Sequence, residues 1–453
     1  MKRPLRELFA FGFLSVPLSA AGLPLVLYLT PYYAGELGFS LASIGLILML
    51  TRVTDVITDP LIGMLSDRTA VRLGRRGLWI ALGLPVMALS MLAVFDPFSA
   101  APDGLYLFVA VGALYLGWTL IGVPLSAWVA EISSDYHERS RITGARTLGG
   151  LIGSLLAILA PLVVATLAAG GGKVWAPEAP GSLQPMLRYL AWTIIGMLVL
   201  AVPLLLLTVR QAAFVTPGQH RLQGGLRLVA QNRNFMRLLL SSVFAAVGWN
   251  SINTLFVFFA QHYLGADQTQ WPVIVLVYII AQLVGTPVIV RLAPRFEKHR
   301  MLAVCCLVQI ALFSLVLVLP PGHWKLYALL NVFTGLLAPV IPILAPSMAA
   351  DVIDEDQLVS GRQRGALFMA LWGMADKFAV AIAAGIALPL VQFLGFDPSV
   401  QNDPAGLRAL HWSFCLVPEC FFLASVACIW NYGLTRDKHR GIREALGERA
   451  SSG

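Results

Sequence analysis

The stretch Leu41–Arg68, LASIGLILMLTRVTDVITDPLIGMLSDR, decides how the whole chain is read. Its first ten residues carry no charge, and then Arg52, Asp55 and Asp59 follow within eight positions. An apolar run of that kind belongs in a membrane or a dry core. Ionisable groups placed there face a protein interior or a water-filled path, and by default they mark a functional site.

The composition extends the argument outward. The 453 residues are 58% hydrophobic and only 12% charged, and the mean hydropathy is +0.76. A soluble domain carries about 25% charged residues. A bilayer-crossing helix needs about 20 apolar residues, and twelve such runs occur, near 8–34, 41–65, 77–97, 105–130, 144–168, 189–209, 237–262, 272–294, 301–320, 325–350, 365–393 and 409–433. They are too long for the strands of a porin-type barrel. The fold class is therefore an all-α membrane protein. The N-terminal run MKRPLRELFAFGFLSVPLSAAGLPLVLYL is too long for the apolar part of a signal peptide and reads as the first, uncleaved span.

Charge sets the orientation. Outside Arg52 and Lys377, all basic residues but four (Lys173, Arg188, Lys325 and Arg408) fall on one side of the spans. The positive-inside rule then puts both termini in the cytoplasm. The net charge of +8 is spread over these loops and does not point to nucleic acid. The polar connection Arg210–Arg237 divides the chain into residues 1–210, a middle loop 211–236, residues 237–433 and a tail 434–453. The halves echo each other: TDPLIGMLSDRTAVRLGRR leaves span two through Pro60, and GTPVIVRLAPRFEKHR leaves span eight through Pro287, each into a basic loop. Twelve spans as six plus six is the organisation of a major facilitator transporter. Asp59 of the first half is answered by Thr286 in the second, so the carboxylates belong to one half.

Asp55 and Asp59 are four apart and share a helix face, with Arg52 one turn before Asp55. With Thr54 and Thr58 they offer oxygen ligands to a small hard cation, or proton acceptors tuned by Arg52. Arg52–Asp55 alone is equally readable as a structural pair. In span eleven, Asp376 and Lys377 diverge by about 100°; Lys377 either balances the empty site or pairs with an acid such as Asp376. Glu419 beside Pro418 is a lone acid that snorkels or bonds freed backbone. Gly63, Asp67, Arg68, Gly74, Arg75 and Arg76 read as a turn-rich loop that latches helix ends, and Asp351, Asp354 and Glu355 as its acidic counterpart. Topology-setting and solvation are the plainer roles for both. Asn250, Asn253, Gln261, Gln282, Gln309 and Asn331 suit helix–helix hydrogen bonds, some of them substrate. Cys305, Cys306, Cys415, Cys420 and Cys428 have no metal-ligand spacing and read as buried thiols.

RVTDVITDPLIGMLSDRT with its following GRR, VPLSAWVAEIS in span four, the Arg146 region and ADVIDE…DK together resemble the glycoside–pentoside–hexuronide:cation symporters, the melibiose-permease branch of the major facilitator superfamily. The resemblance spans nearly the whole chain. It implies a cation site formed or governed by Asp55, Asp59, Thr119 and Lys377, with Na+ bound at the two aspartates. The sugar-binding aspartates of that family are replaced here by Ser19 and Gly122, and its span-four tryptophan by Ser126, with Trp128 close by. Trp118, Phe11, Phe13 and Trp249 would suit a more apolar cavity, as in the sodium-coupled lysophospholipid carriers of the same branch.

The expected function is cation-coupled symport, Na+ favoured over H+, by alternating access in a multi-pass plasma membrane, in a bacterium the inner one. The family-typical cargo is a sugar or glycoside; the alternative is a lysophospholipid or other amphiphile, and an uncoupled facilitator ranks behind both. No filter-like charge ring, zinc-protease motif or phosphate loop occurs, so neither a channel nor an enzyme is expected. No cofactor is expected beyond the coupling ion. The expected partners are a small-molecule or lipid-like substrate and membrane lipids, and the expected state is a monomer.

Overall fold

The computed structural model describes residues 4–69, 74–98, 101–132, 136–169, 183–209, 231–361, 365–400 and 402–452. Arg72, Lys173, Arg210 and residues 211–230 of the expected middle loop lie outside the described residues. Among those described, every regular element is helical, and twelve helices are long and apolar enough to cross a membrane. They are α1 (Leu5–Leu27), α2 (Leu41–Arg68), α3 (Arg75–Phe95), α4 (Gly104–Ile132), α5 (Tyr136–Ala169), α6 (Gln184–Thr208), α7 (Arg233–Phe258), α8 (Trp271–Leu292), α9 (Lys298–Leu317), α10 in two pieces (Trp324–Leu337 and Val340–Ser360), α11 (Gly365–Phe393) and α12 (Pro404–Ile429). A further helix, α13 (Arg436–Ser452), follows. The chain is a multi-pass membrane protein.

In hydrocarbon a helix is the one open-ended element that satisfies its own backbone. Three starts carry side-chain caps: Ser40 accepts from Ser43 N–H at 3.1 Å, Asn232 from Phe235 N–H at 2.9 Å, and Asp403 from Gly406 N–H at 2.7 Å. The sequence expectation of a turn-rich loop from Gly63 is corrected here: α2 runs on past Pro60 through Gly63 and Asp67 to Arg68, and α8 likewise carries Pro287 in its interior. Interior prolines are tolerated because neighbouring groups in a bundle take up the freed backbone. Likewise Asp351–Ser360 forms the last turns of α10, which stops at Gly361 with a left-handed φ of 67°.

The chain divides into two compact units, one of Met1–Gly218 with Asp267–Pro272 and Asp397–Asn402, the other of the remaining residues. In the first, α1 packs on α5 and α6, α4 on α2 and α3, and α3 on α6. In the second, α7 packs on α11 and α12, and α9 on α10 and α12. The second pattern repeats the first, shifted by six helices. Close approach in the first unit depends on small residues: a Cβ added at Gly149 of α5 would lie 2.0 Å from the Gly12 carbonyl oxygen of α1.

Candidate cation site and substrate-cavity residues

The acidic face of α2 meets a matching face of α4. Four-residue spacing puts Asp55 and Asp59 on successive turns of α2, and the same spacing puts Tyr115 and Thr119 on successive turns of α4. The two helices pack together, so the ladders oppose. Thr119 donates its hydroxyl to Asp59 Oδ1 at 2.9 Å. Arg52 donates from Nη1 to Asp55 Oδ2 at 3.4 Å, and its Cζ lies 3.8 Å from the Tyr115 ring centroid. Asp55, Tyr115 and Thr119 are buried, at 3%, 5% and 4% exposure, while Arg52 and Asp59 are half-buried, so water screens these contacts less than at a surface. Thr54 and Thr58 turn their hydroxyls back to the carbonyls of Thr51 and Asp55, at 2.6 and 3.5 Å, leaving Thr119 as the hydroxyl directed at a carboxylate. Two carboxylates and a hydroxyl on adjoining helices form a hard-oxygen donor set, the chemistry that suits small hard cations.

The residues expected at the end of α2 also come together. Arg76, nearly enclosed, donates to Ser66 Oγ at 2.5 Å and pairs with Asp67. This joins the last turn of α2 to the first turn of α3. Gly63 and Asp67 are helical, Arg68 is exposed, and Arg75 lies half-buried on α3. Only Gly74 adopts a turn-glycine conformation here, at φ 84°.

The cavity candidates fare differently from one another. Trp118 is half-buried and wedged between glycines: its Cη2 would meet a Cβ added at Gly22 of α1 at 2.8 Å, and its Cδ1 one added at Gly122 at 3.5 Å. The indole thus occupies the surroundings of the position where the resemblance implied a sugar-binding aspartate. Ser19 sits at the α1–α5 crossing, with its Oγ 2.9 Å from a Cβ added at Gly150. Ser126 is exposed, and Arg146 is half-buried on α5. Trp128, at 1% exposure, packs edge-on against Phe11 at 6.0 Å, inside the bundle rather than on an open wall.

The second unit holds the remaining candidates. Lys377 is half-buried and Asp376 exposed on α11. Trp249 of α7 packs against Tyr278 and Phe422, Asn250 donates to its own helix at Ala246 O (2.8 Å), and Asn253 is exposed. Asp351 accepts from Lys298 at 2.6 Å, and Asp354 lies 3.0 Å from His439 of α13. Glu419 accepts from Ser314 of α9 at 3.1 Å, not from backbone freed by Pro418. Contrary to the expectation of buried thiols, Cys420 is exposed and Cys428 half-buried, whereas Cys305, Cys306 and Cys415 are buried.

Two participants escaped the reading of the sequence. Tyr115 looks like any aromatic of an apolar span, and only its place four residues before Thr119 could have flagged it. Helix α13 occupies the polar tail, whose sequence carries no apolar span, although His439, Ile442, Ala445 and Leu446 form a half-buried stripe at helical spacing.

Comparisons with known proteins agree with this architecture. A family model described as MFS/sugar transport protein matches residues 10–436. The chain is 22% identical to a glucuronide carrier protein homolog of Escherichia coli (strain K12), covering 92% of this chain and 90% of the relative. It is 23% identical to a sodium-dependent lysophosphatidylcholine symporter 1 of Xenopus tropicalis, covering 89% and 82%. Among solved structures, a D-xylose-proton symporter superposes with a TM-score of 0.64 over 95% of this chain and 96% of that one, at 14% identity, which speaks for the fold alone.

Proposed function

The chain belongs to the MFS/sugar transport protein family, and from that premise we propose that it is a cation-coupled symporter working by alternating access. Na+ is favoured over H+ as the coupling ion. Asp59 and Thr119 hold it, with Asp55 one turn away and Arg52 beside Asp55 balancing charge. The observation that carries this reading is the directed Thr119 hydroxyl at Asp59: a hydroxyl with no structural need for a carboxylate is spent on one inside a membrane helix pair. Both termini lie in the cytoplasm, where the basic loops gather.

For the cargo, a solute built of hydroxyls alone is disfavoured. Ser19 and Gly122 supply no paired acids, and the Trp118 indole covers Gly122. A site that selects hydroxyls needs polar groups to pair with them. An amphiphile with an apolar portion fits these surroundings better, in keeping with the lysophosphatidylcholine symporter among the relatives; a glycoside with an apolar aglycone is the second reading.

The test has two parts. In proteoliposomes, ion-gradient-driven uptake should be lost in Asp55→Cys and in Asp59→Cys; retention by both sinks the coupling, and uptake that survives collapse of every gradient points to a facilitator. Thermal stabilisation of the purified protein by glycosides, uronates and lysolipids, each with and without Na+, identifies the class of cargo.

A further inference from the structure

We propose that Tyr115 is a positioning residue of the cation site: its ring holds the Arg52 guanidinium flat against α4, so that Arg52 does not close a two-pronged ion pair on Asp55. The inference deepens the coupling reading and rests on it for its consequence, though not for the clamp itself.

An arginine next to a carboxylate in a dry setting normally turns its fork toward it, making two parallel hydrogen bonds of about 2.7–2.9 Å. Arg52 does not. Its Nη1 approaches Asp55 Oδ2 at 3.4 Å, a long contact, while its Cζ stands 3.8 Å above the Tyr115 centroid. Its Nε is buried and has no acceptor among the described residues. The ring face therefore takes part in orienting the guanidinium, together with the Tyr115 hydroxyl and the long contact to Asp55. Such an attraction is strongest where water is excluded, and Tyr115 is 5% exposed.

The clamp is built into the helix contact. Gly112, one turn before Tyr115, faces α2 at Thr51, where an added Cβ would stand at an ordinary contact distance of 3.8 Å from Thr51 Cγ2. Thr119, one turn after, meets Asp59. The ring position is thus set by the same contact that supplies the hydroxyl to the second carboxylate. The consequence concerns affinity. On its Arg52 side, a cation recruiting Asp55 meets one long contact in place of the two charge-assisted hydrogen bonds of an arginine fork, while Arg52 stays near enough to balance the site when it is empty.

The experiment compares wild type, Tyr115→Phe, which keeps the ring face, and Tyr115→Leu, which removes it, with Tyr115→Met as a second faceless variant should Leu fail to fold. The first readout is the rate of phenylglyoxal modification of Arg52, located by peptide mass spectrometry on the full-length purified protein. Phe should react within about twofold of wild type; the change in the faceless variant should follow the guanidinium's release from the ring, by about fivefold or more. The second readout is the Na+ concentration for half-maximal uptake: about tenfold higher for the faceless variant with the maximal rate unchanged, and near wild type for Phe. Equal labelling rates in all variants overturn the clamp, whatever the cations do. A Phe variant that behaves like Leu also overturns it, since the hydroxyl and not the ring would then matter. Labelling that follows the ring, in a wild type that ignores Na+, Li+ and H+, supports the clamp and overturns the coupling reading instead.

Discussion

Thr119 of α4 donates its hydroxyl to Asp59 of α2 at 2.9 Å, across a sequence separation of sixty residues. This contact fixes which face of α4 the acidic face of α2 sees. It yields the first prediction. A hydrogen bond to a charged group contributes about 1.5–3 kcal/mol, so Thr119→Val should raise the half-saturating coupling-ion concentration by about tenfold or more, and Thr119→Ser should restore it. Uptake against ion concentration in proteoliposomes measures both.

Asp55 should contribute only modestly to stability. Breaking a tight buried ion pair costs about 3–5 kcal/mol, but the Arg52–Asp55 contact is 3.4 Å and Arg52 keeps the Tyr115 ring. Asp55→Asn should therefore lower stability by less than that range, about 1–2 kcal/mol. The double variant Arg52→Met with Asp55→Asn should regain stability without regaining ion-driven uptake. Thermal unfolding of the detergent-solubilised protein reads the first quantity and uptake the second.

At the α2–α3 connection, Arg76 and Arg68 should differ sharply. Arg76 is buried against Ser66 and Asp67, whereas Arg68 is exposed. Arg76→Ala should cost about 1–3 kcal/mol, leaving the enclosed Ser66 hydroxyl without its donor while the more exposed Asp67 is hydrated. Arg68→Ala should fall within about 0.5 kcal/mol of wild type. Melting temperatures of the two variants, measured side by side, check the contrast.

Two glycines of α5 provide a steric control. A Cβ at Gly149 would stand 2.0 Å from the Gly12 carbonyl, while one at Gly144 meets nothing within 4 Å. Gly149→Ala should force α1 and α5 apart and sharply reduce the yield of folded protein. Gly144→Ala should be tolerated or slightly stabilising, since Ala favours a helix by about 1 kcal/mol over Gly. Size-exclusion profiles of the solubilised variants distinguish the outcomes.

Much of the architecture was legible in the chain. Hydropathy over about 20 residues is a local property, so the spans could be counted, α2 among them, without knowing their neighbours. The boundaries were less legible. The segment 63–68 and the acidic run Asp351–Ser360 read as connections, yet both lie inside helices, because a bundle relieves a proline such as Pro60 and a helix can continue past the membrane surface. Of the site, Arg52, Asp55 and Asp59 were visible as charges where charge is costly. Tyr115 was not, since a tyrosine in an apolar span is unremarkable until its ring is found under a guanidinium.

The sequence by itself determined an all-helical membrane protein, with paired carboxylates on one face of its second span. Those features rest on transfer energies and on the helical repeat, both written in neighbouring residues. The tertiary structure alone decided that α4 presents Tyr115 and Thr119 to that face, that Trp118 lies over Gly122, that Trp128 is enclosed against Phe11, and that His439 reaches Asp354. Each of these depends on how two helices cross. A crossing is set by the fit of whole surfaces, Gly12 on Gly149 and Gly112 beside Thr51, and no single stretch of sequence contains both sides of that fit.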